Sequence, residues 1–165
     1  MDVRPLAEAS AQSYGLDPLL VRAIIAVESS GKPHAYRFEQ KYWERYRPLH
    51  PEWAGLDPER VAASYGLMQV MYPTAQQIGF TMEPEYLFVP QIGIDIGCRW
   101  LSQLLHWAGT FGVASERTLG AAVAAYNGGK GGNKPTDSPL RNGAYAQRVW
   151  AARAFLSGTQ TSPIA

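Results

Sequence analysis

"LDPLLVRAIIAVESSG", residues 16–31, reads as a helix that carries a carboxylate on its apolar side. Asp17 is a good N-cap, Pro18 suits the first helical position, and Gly31 supplies a stop. Leu20, Ile24 and Val27 recur at helical spacing. Glu28 lies four residues after Ile24 and eight after Leu20, so it points with the apolar stripe. A charged, unpaired carboxylate there costs several kcal/mol, so its pKa is expected to rise. The negative end of the helix dipole acts in the same direction. A glutamate bending out to solvent at a fraying helix end fits the same letters, and this segment alone leaves both readings open.

The rest of the chain predicts a mainly α-helical domain. "FEQKYWERY" (38–46) places Phe38, Tyr42, Trp43 and Tyr46 on one stripe of a short helix. It sits in an excursion from Lys32 to Ala63 whose Pro33, Pro48, Pro51, Gly55 and Pro58 predict mostly irregular chain. A short helix is expected over Thr74–Ile78. A long one starts near Pro90, with Ile94, Cys98, Leu101, Leu105 and Ala108 as its apolar face. Gly93 and Gly97, four apart, would let another helix approach closely. "SERTLGAAVAAYNGG" has Ser115 as its expected N-cap, Glu116 in its first turn and a small-residue body for tight packing. "GKGGNKPTDSPLRNG" (129–143) reads as a flexible connection. A last helix over about Ala144 to Leu156 presents Tyr145, Val149, Ala152 and Leu156 on one side. The polar tail after Gly158 is expected to be loose.

Composition narrows the function classes. At 165 residues, 46% hydrophobic and 18% charged, the chain suits one soluble domain with its own core. A net charge of +1 without basic runs disfavours nucleic acid. Cys98 stands alone, so no intrachain disulfide is possible, and His34, His50 and His106 make no metal-ligand spacing. The N-terminus lacks the basic start and apolar run of a signal peptide, and no stretch has the roughly 18 apolar residues of a membrane span. The expectation is a chain made without a standard export address, or a domain cut from a longer protein.

"SYGLMQVMYPTA" (64–75) is ambiguous by itself. It is either a turn delivering Leu67 and Met68 to the core with Gln69 at the surface, or part of a binding wall. Of the tryptophans, Trp100, Trp107 and Trp150 lie on helical faces and read as core. Trp43 and Trp53, in the excursion, are open between packing and sugar stacking.

A carboxyl held protonated near neutral pH is what a general acid for glycosidic bond cleavage needs. Around Glu28 the chain resembles a known family. "ESSGKPHA" (28–35), "GLMQVMYPTA" (66–75) and "AAYNGG" (124–129) resemble the three ordered motifs of the soluble lytic transglycosylases, which share the goose-type lysozyme-like fold. "LFVPQIGIDIGCRWLSQLL" (87–105) resembles the family's connection between its second and third motifs, and "YAQRV" (145–149) its closing tyrosine helix. The likeness runs from about Leu16 to Phe155.

The resemblance implies a single lysozyme-like catalytic domain over 1–158 with a substrate groove, an elaborated insertion over 33–63, and a flexible tail over 159–165. It implies that Glu28 is the catalytic acid and base, with Ser29 completing a Glu-Ser pair. Gly66, Leu67, Met68 and Gln69 would form the wall that receives the sugar chain. There Gly66 would allow close approach, Met68 would adapt to a sugar face and Gln69 would read an acetamido group. Tyr126 and Asn127 would lie on the groove floor, Tyr145 would face the glutamate, and Ser64 would help bind the N-acetyl group.

The implied partner is the peptidoglycan glycan strand, cut between its MurNAc and GlcNAc units with formation of a 1,6-anhydro ring and no cofactor. The same resemblance leaves a muramidase open, for which Glu39 and Glu44 are candidate second carboxylates, against their reading as surface charge. It also leaves open a non-catalytic peptidoglycan-binding or structural module. A wall-cleaving domain of this kind, acting in the periplasm or outside the cell, fits a phage particle, a lysis enzyme or a secretion machine. The chain departs from the family in the length of its excursion, about 32 residues between Gly31 and Ser64, and in Tyr65, where a small residue often stands.

Overall fold

Asp17 caps the central helix as its sequence predicts: its carboxylate accepts a hydrogen bond from the Leu19 N–H at 2.9 Å. The computed structural model describes residues 2–136 and 138–158, so the expected loose tail at 159–165 lies outside the described residues. The helices are α1 (Arg4–Ser13), α2 (Pro18–Ser29), α3 (Gln40–Tyr46), α4 (Pro58–Val61), α5 (Tyr72–Gln77), α6 (Pro90–Gly109), α7 (Ser115–Gly128) and α8 (Gly143–Leu156). Short 3-10 turns cover Arg47–Leu49, Pro51–Trp53 and Pro84–Phe88.

One core joins α1, α2, α6, α7 and α8. Within α2, Leu20, Val21, Ala23, Ile24 and Ile25 are buried, and the helix packs mainly on α8. An Arg153 to Asp17 contact of 2.6 Å fastens α8 to the N-terminal end of α2. Ala121 to Ala125 of α7 are fully buried, which lets α7 lie close against α6. The first residue of α7 is Ser115, and its N-cap is Ala114 without a side-chain cap, one residue away from the expectation. Trp100, Trp107 and Trp150 pack against this core from helical faces, and Trp100 also borders the cleft beside Glu28. The Cys98 thiol, fully buried, has its pKa pushed up to about 12 by that burial, which makes it a packing residue and not a nucleophile.

Two regions differ from the sequence reading. Helix α1 has no signature in the letters: it buries only Ala7, Ser10 and Ala11, which are too small to make an apolar stripe. The excursion is more ordered than its prolines suggest. Its first strand, β1 (Tyr36–Phe38), pairs antiparallel with β2 (Ala63–Tyr65), which pairs antiparallel with β3 (Val70–Met71). In the register Arg37 stands opposite Ser64, and Ser64 opposite Met71. The excursion therefore leaves and rejoins the domain at one small sheet, beside the end of α2.

The space above Gly93 and Gly97 is not taken by another helix. A Cβ at Gly97 would collide with the Met68 side chain, and one at Gly93 with the Leu87 carbonyl. These glycines receive the β2–β3 turn and the 3-10 turn that follows it. Met68 is a wedge between the sheet and α6.

Candidate active site

Helix α2 ends where its backbone turns left-handed, at Ser30 (φ 51°) and Gly31 (φ 74°). This leaves Glu28 in the last turn, half-buried, at the mouth of a cleft of about 400 Å³. The Tyr145 hydroxyl, from the first turn of α8, donates to Glu28 Oε1 at 2.7 Å. Burial raises the Glu28 pKa above the ordinary carboxyl value. The Tyr145 hydrogen bond, the charges of Arg37 and Arg148, and the Asn127 amide pull it down without cancelling the rise. Burial and the neighbouring Glu28 charge drive the Tyr145 phenol pKa far up, so this hydroxyl remains a donor. The Arg148 guanidinium lies 5.7 Å from the centre of the Tyr145 ring.

The β2–β3 turn borders the same cleft as Glu28, and its geometry comes from internal hydrogen bonds. The Ser29 hydroxyl, buried, lies 2.8 Å from the Leu67 carbonyl and 3.0 Å from that of Ile25. The Tyr126 hydroxyl donates to the Met68 carbonyl at 2.9 Å. Gln69 adopts φ 48°, and its Nε2 donates to the carbonyls of Ala35 and Gly66, each at 2.9 Å. Its Oε1 accepts from the Ser64 hydroxyl at 3.1 Å. Both amide hydrogens of Gln69 are thus spent inside the protein.

Glu28, Ser64, Gln69, Tyr126, Asn127 and Glu39 come together around the one cleft. Several expectations need correction. Leu67 and Met68 are 1% and 0% exposed, so neither side chain reaches a ligand in the cleft. Met68 packs on Gly97 and adapts to the core, not to a sugar face. Gly66 (φ 72°) is glycine because a Cβ would collide with the Leu87 carbonyl, not to admit a ligand. Ser29 points away from the cleft and ties α2 to the turn, and the hydroxyl of Ser64, 1% exposed, is directed at Gln69. Glu44 is exposed on α3, where it accepts from Gln40 at 2.8 Å, and takes no part in the cleft.

Residues outside the motifs complete the site. Arg37 of β1 lines the cleft and pairs with Glu39. The Asn142 Nδ2 donates to Asn127 Oδ1 at 3.0 Å, and the Asn142 N–H donates to Oδ1 of the fully buried Asn133 at 2.9 Å. These asparagines tie Gly129, Asn133 and Asn142 to the end of α7. Asn133, inside a glycine-rich stretch, carries no pattern that announces it. Among the described residues no group of three or more His, Cys, Asp or Glu is placed to hold a metal, and no helix is long and apolar enough to cross a membrane.

The family model described as "Transglycosylase SLT domain" matches residues 5–145. The membrane-bound lytic murein transglycosylase C of Yersinia enterocolitica is 33% identical over 135 residues, covering 77% of this chain and 31% of that protein. The protein of the same name from Haemophilus influenzae is 31% identical over 136 residues, again covering 77% of this chain and 31% of its own length. The chain thus spans about a third of the length of these relatives. The X-ray structure of an inactive mutant of the lytic transglycosylase Slt from Pseudomonas aeruginosa superposes with a TM-score of 0.65 at 23% identity. It covers 94% of this chain and 24% of that one, and shares its fold. With the match running from α1 to the tyrosine that contacts Glu28, the chain belongs to the transglycosylase SLT domain family.

Proposed function

We propose that residues 1–158 form a peptidoglycan lytic transglycosylase domain that cuts the MurNAc-β-1,4-GlcNAc bond and leaves a 1,6-anhydroMurNAc end. The observation that carries this reading is Glu28. Its raised pKa keeps the carboxyl protonated further toward neutral pH, and it lies in a groove beside a fixed hydroxyl donor. Protonated Glu28 gives its proton to the glycosidic oxygen as the C1–O4 bond breaks, and the leaving GlcNAc departs with a free 4-hydroxyl. The muramyl N-acetyl group shares the positive charge that develops at C1. The Glu28 carboxylate then takes the proton of the sugar's own C6 hydroxyl while O6 closes on C1. Glu28 ends protonated and no water is consumed, so one carboxylate suffices.

Tyr145 holds the Glu28 carboxyl in one orientation throughout. Asn127 and Tyr126 form the cleft floor. Gln69 and Ser64 act by holding the turn in shape, with Gln69 also presenting part of the cleft wall.

A muramidase is the second reading because one observation favours it: Glu39 lines the same cleft as Glu28. It pairs there with the Arg37 guanidinium, and a second carboxylate in the cleft is what an inverting hydrolase uses to activate water. Digestion of purified sacculi followed by mass analysis tests both. Anhydro ends, one water lighter than reducing ends, support the transglycosylase; hydrated ends support the muramidase; no release at all supports a binding module. The domain's place of action on this reading is the cell wall, in the periplasm or outside the cell, reached through a phage particle, a lysis enzyme or a secretion machine.

A further inference from the structure

Helix α3 buries none of its residues, although it carries Tyr42, Trp43 and Tyr46 within a single pair of turns. These aromatics are not part of the main core. They form a second, separate cluster with the 3-10 turns that follow. Trp53, 7% exposed, is its centre: His50 stacks on it at 4.1 Å and Trp43 at 5.9 Å, both with rings 10° from parallel. Tyr42 lies 6.4 Å from the same indole. Tyr46 lies 4.4 Å from Tyr42, and the Arg45 guanidinium sits 5.4 Å from the Tyr46 ring. Tyr42 and Tyr46 both line the cleft that holds Glu28, whereas Trp43 and Trp53 do not.

Tyr42 and Tyr46 are half-buried against each other, and Tyr42 against Trp53, outside the main core, so both keep ring surface at the cleft. They border a groove whose lining also carries Ser64, Gln69 and Asn127, and an aromatic pair beside such polar groups suits the flat C–H side of a pyranose. We infer that Tyr42 and Tyr46 form a sugar-stacking wall that receives an N-acetylated amino-sugar ring next to the bond cut at Glu28. Trp53, His50 and Trp43 are the brace that holds the wall upright. The 33–63 excursion then carries one side of the groove, and its pairing through β1 sets the height of that side relative to the β2–β3 turn. On this inference Trp43 and Trp53 support the stacking surface and do not form it.

The inference rests on the glycan-cleaving reading of the cleft, and the test separates the two. Binding of peptide-free peptidoglycan glycan strands is measured by calorimetry with the full chain carrying Glu28→Gln, which prevents turnover. Tyr42→Leu and Tyr46→Leu, which keep apolar bulk and remove the flat ring, are added to it singly. The same changes in the otherwise native chain are followed by KM and kcat on sacculi. Each Leu variant is expected to bind at least about fivefold more weakly and to raise KM more than it lowers kcat. Tyr42→Phe and Tyr46→Phe, which keep the ring, should stay within about twofold of the parent. Melting temperatures should move little, since no α3 residue is in the main core. Leu variants that bind as the parent does would overturn the wall and leave the cleavage reading standing. A parent that does not bind, with a native chain that releases nothing from sacculi, would overturn both.

Discussion

The Tyr145 hydroxyl and the Glu28 carboxylate meet at 2.7 Å across 117 residues of sequence, joining the last turn of α2 to the first turn of α8. The contact sits where two helices that pack closely along the core emerge into the cleft, so rigid packing fixes it. Two effects act on Glu28 through this arrangement in opposite directions. Burial favours the neutral acid, and the donated hydrogen bond favours the anion. A group that must serve first as acid and then as base needs both forms within reach.

Glu28→Gln should abolish release from sacculi while preserving the fold, because the amide is nearly isosteric and has no acidic proton. General acid–base catalysis is typically worth about 10²–10⁴-fold, so retention of more than about a tenth of native turnover would overturn the assignment. Stability gives an independent reading. The folded pKa of Glu28 lies above its unfolded value, so the folded state holds the proton more tightly. Its favourable contribution is complete below the unfolded pKa and is lost as pH rises through the folded pKa. The Glu28→Gln protein should therefore melt above the native one at neutral pH, with the gap closing as the solution is made acid. A gap that widens toward acid pH would place the charged form as the favoured one.

Tyr145→Phe removes the hydrogen bond that lowers the Glu28 pKa and keeps the ring. The Glu28 pKa should rise further, and the alkaline limb of the pH–rate profile should move to higher pH as the acid remains protonated longer. Turnover at the optimum should fall, because the carboxyl loses the donor that orients it. A profile shifted to lower pH, or an unshifted profile with native turnover, would remove Tyr145 from this role.

Much of this site is legible in the letters, and for physical reasons. The α2 helix announces itself through Asp17, Pro18 and the stripe from Leu20 to Glu28, all local signals. The ordered motifs bring Glu28, Tyr126, Asn127 and Tyr145 together because the family's chain order encodes them. The details of the β2–β3 turn are not legible. Whether Met68 faces a ligand or Gly97, and whether Gly66 faces a ligand or Leu87, depends on elements roughly 20 to 30 residues away. Two strands of three and two residues carry too little periodicity to be read. Arg37 and Asn142 stay hidden for the same reason: each is an ordinary polar residue in a loop-rich stretch until tertiary pairing places it in the cleft or against its wall.

Gln69→Ala should cost stability first and activity second, contrary to the motif reading, which gives this side chain to the substrate. The change deletes two donated hydrogen bonds and leaves the Ala35 and Gly66 carbonyls and the Ser64 hydroxyl without this partner. Each carbonyl keeps a backbone donor, the Gly66 N–H on Ala35 and the Gln69 N–H on Gly66. The loss is therefore that of ordinary hydrogen bonds at about 0.5–1.5 kcal/mol each, which should appear as a fall in melting temperature. A β-carbon remains at a positive φ, so no backbone strain is relieved. Native melting with strongly weakened glycan binding would instead return Gln69 to a direct contact.

Glu39→Gln separates the two enzymatic readings and carries its own electrostatic signature. Glu39 pairs with Arg37, and the Arg37 charge lowers the Glu28 pKa. Neutralising Glu39 removes one negative charge from the cleft and leaves the Arg37 field at Glu28 less compensated. This single loss of negative charge favours the Glu28 anion, so its pKa should fall and the alkaline limb should move to lower pH, opposite to Tyr145→Phe. Because Arg37 is exposed, the shift should shrink as salt is raised. At acid pH, where Glu28 is protonated in either protein, turnover should stay within a few-fold and the products should still carry anhydro ends, since no step requires a second carboxylate. A loss as deep as that of Glu28→Gln, with hydrated reducing ends from the native protein, would make Glu39 the base that activates water and the protein a muramidase.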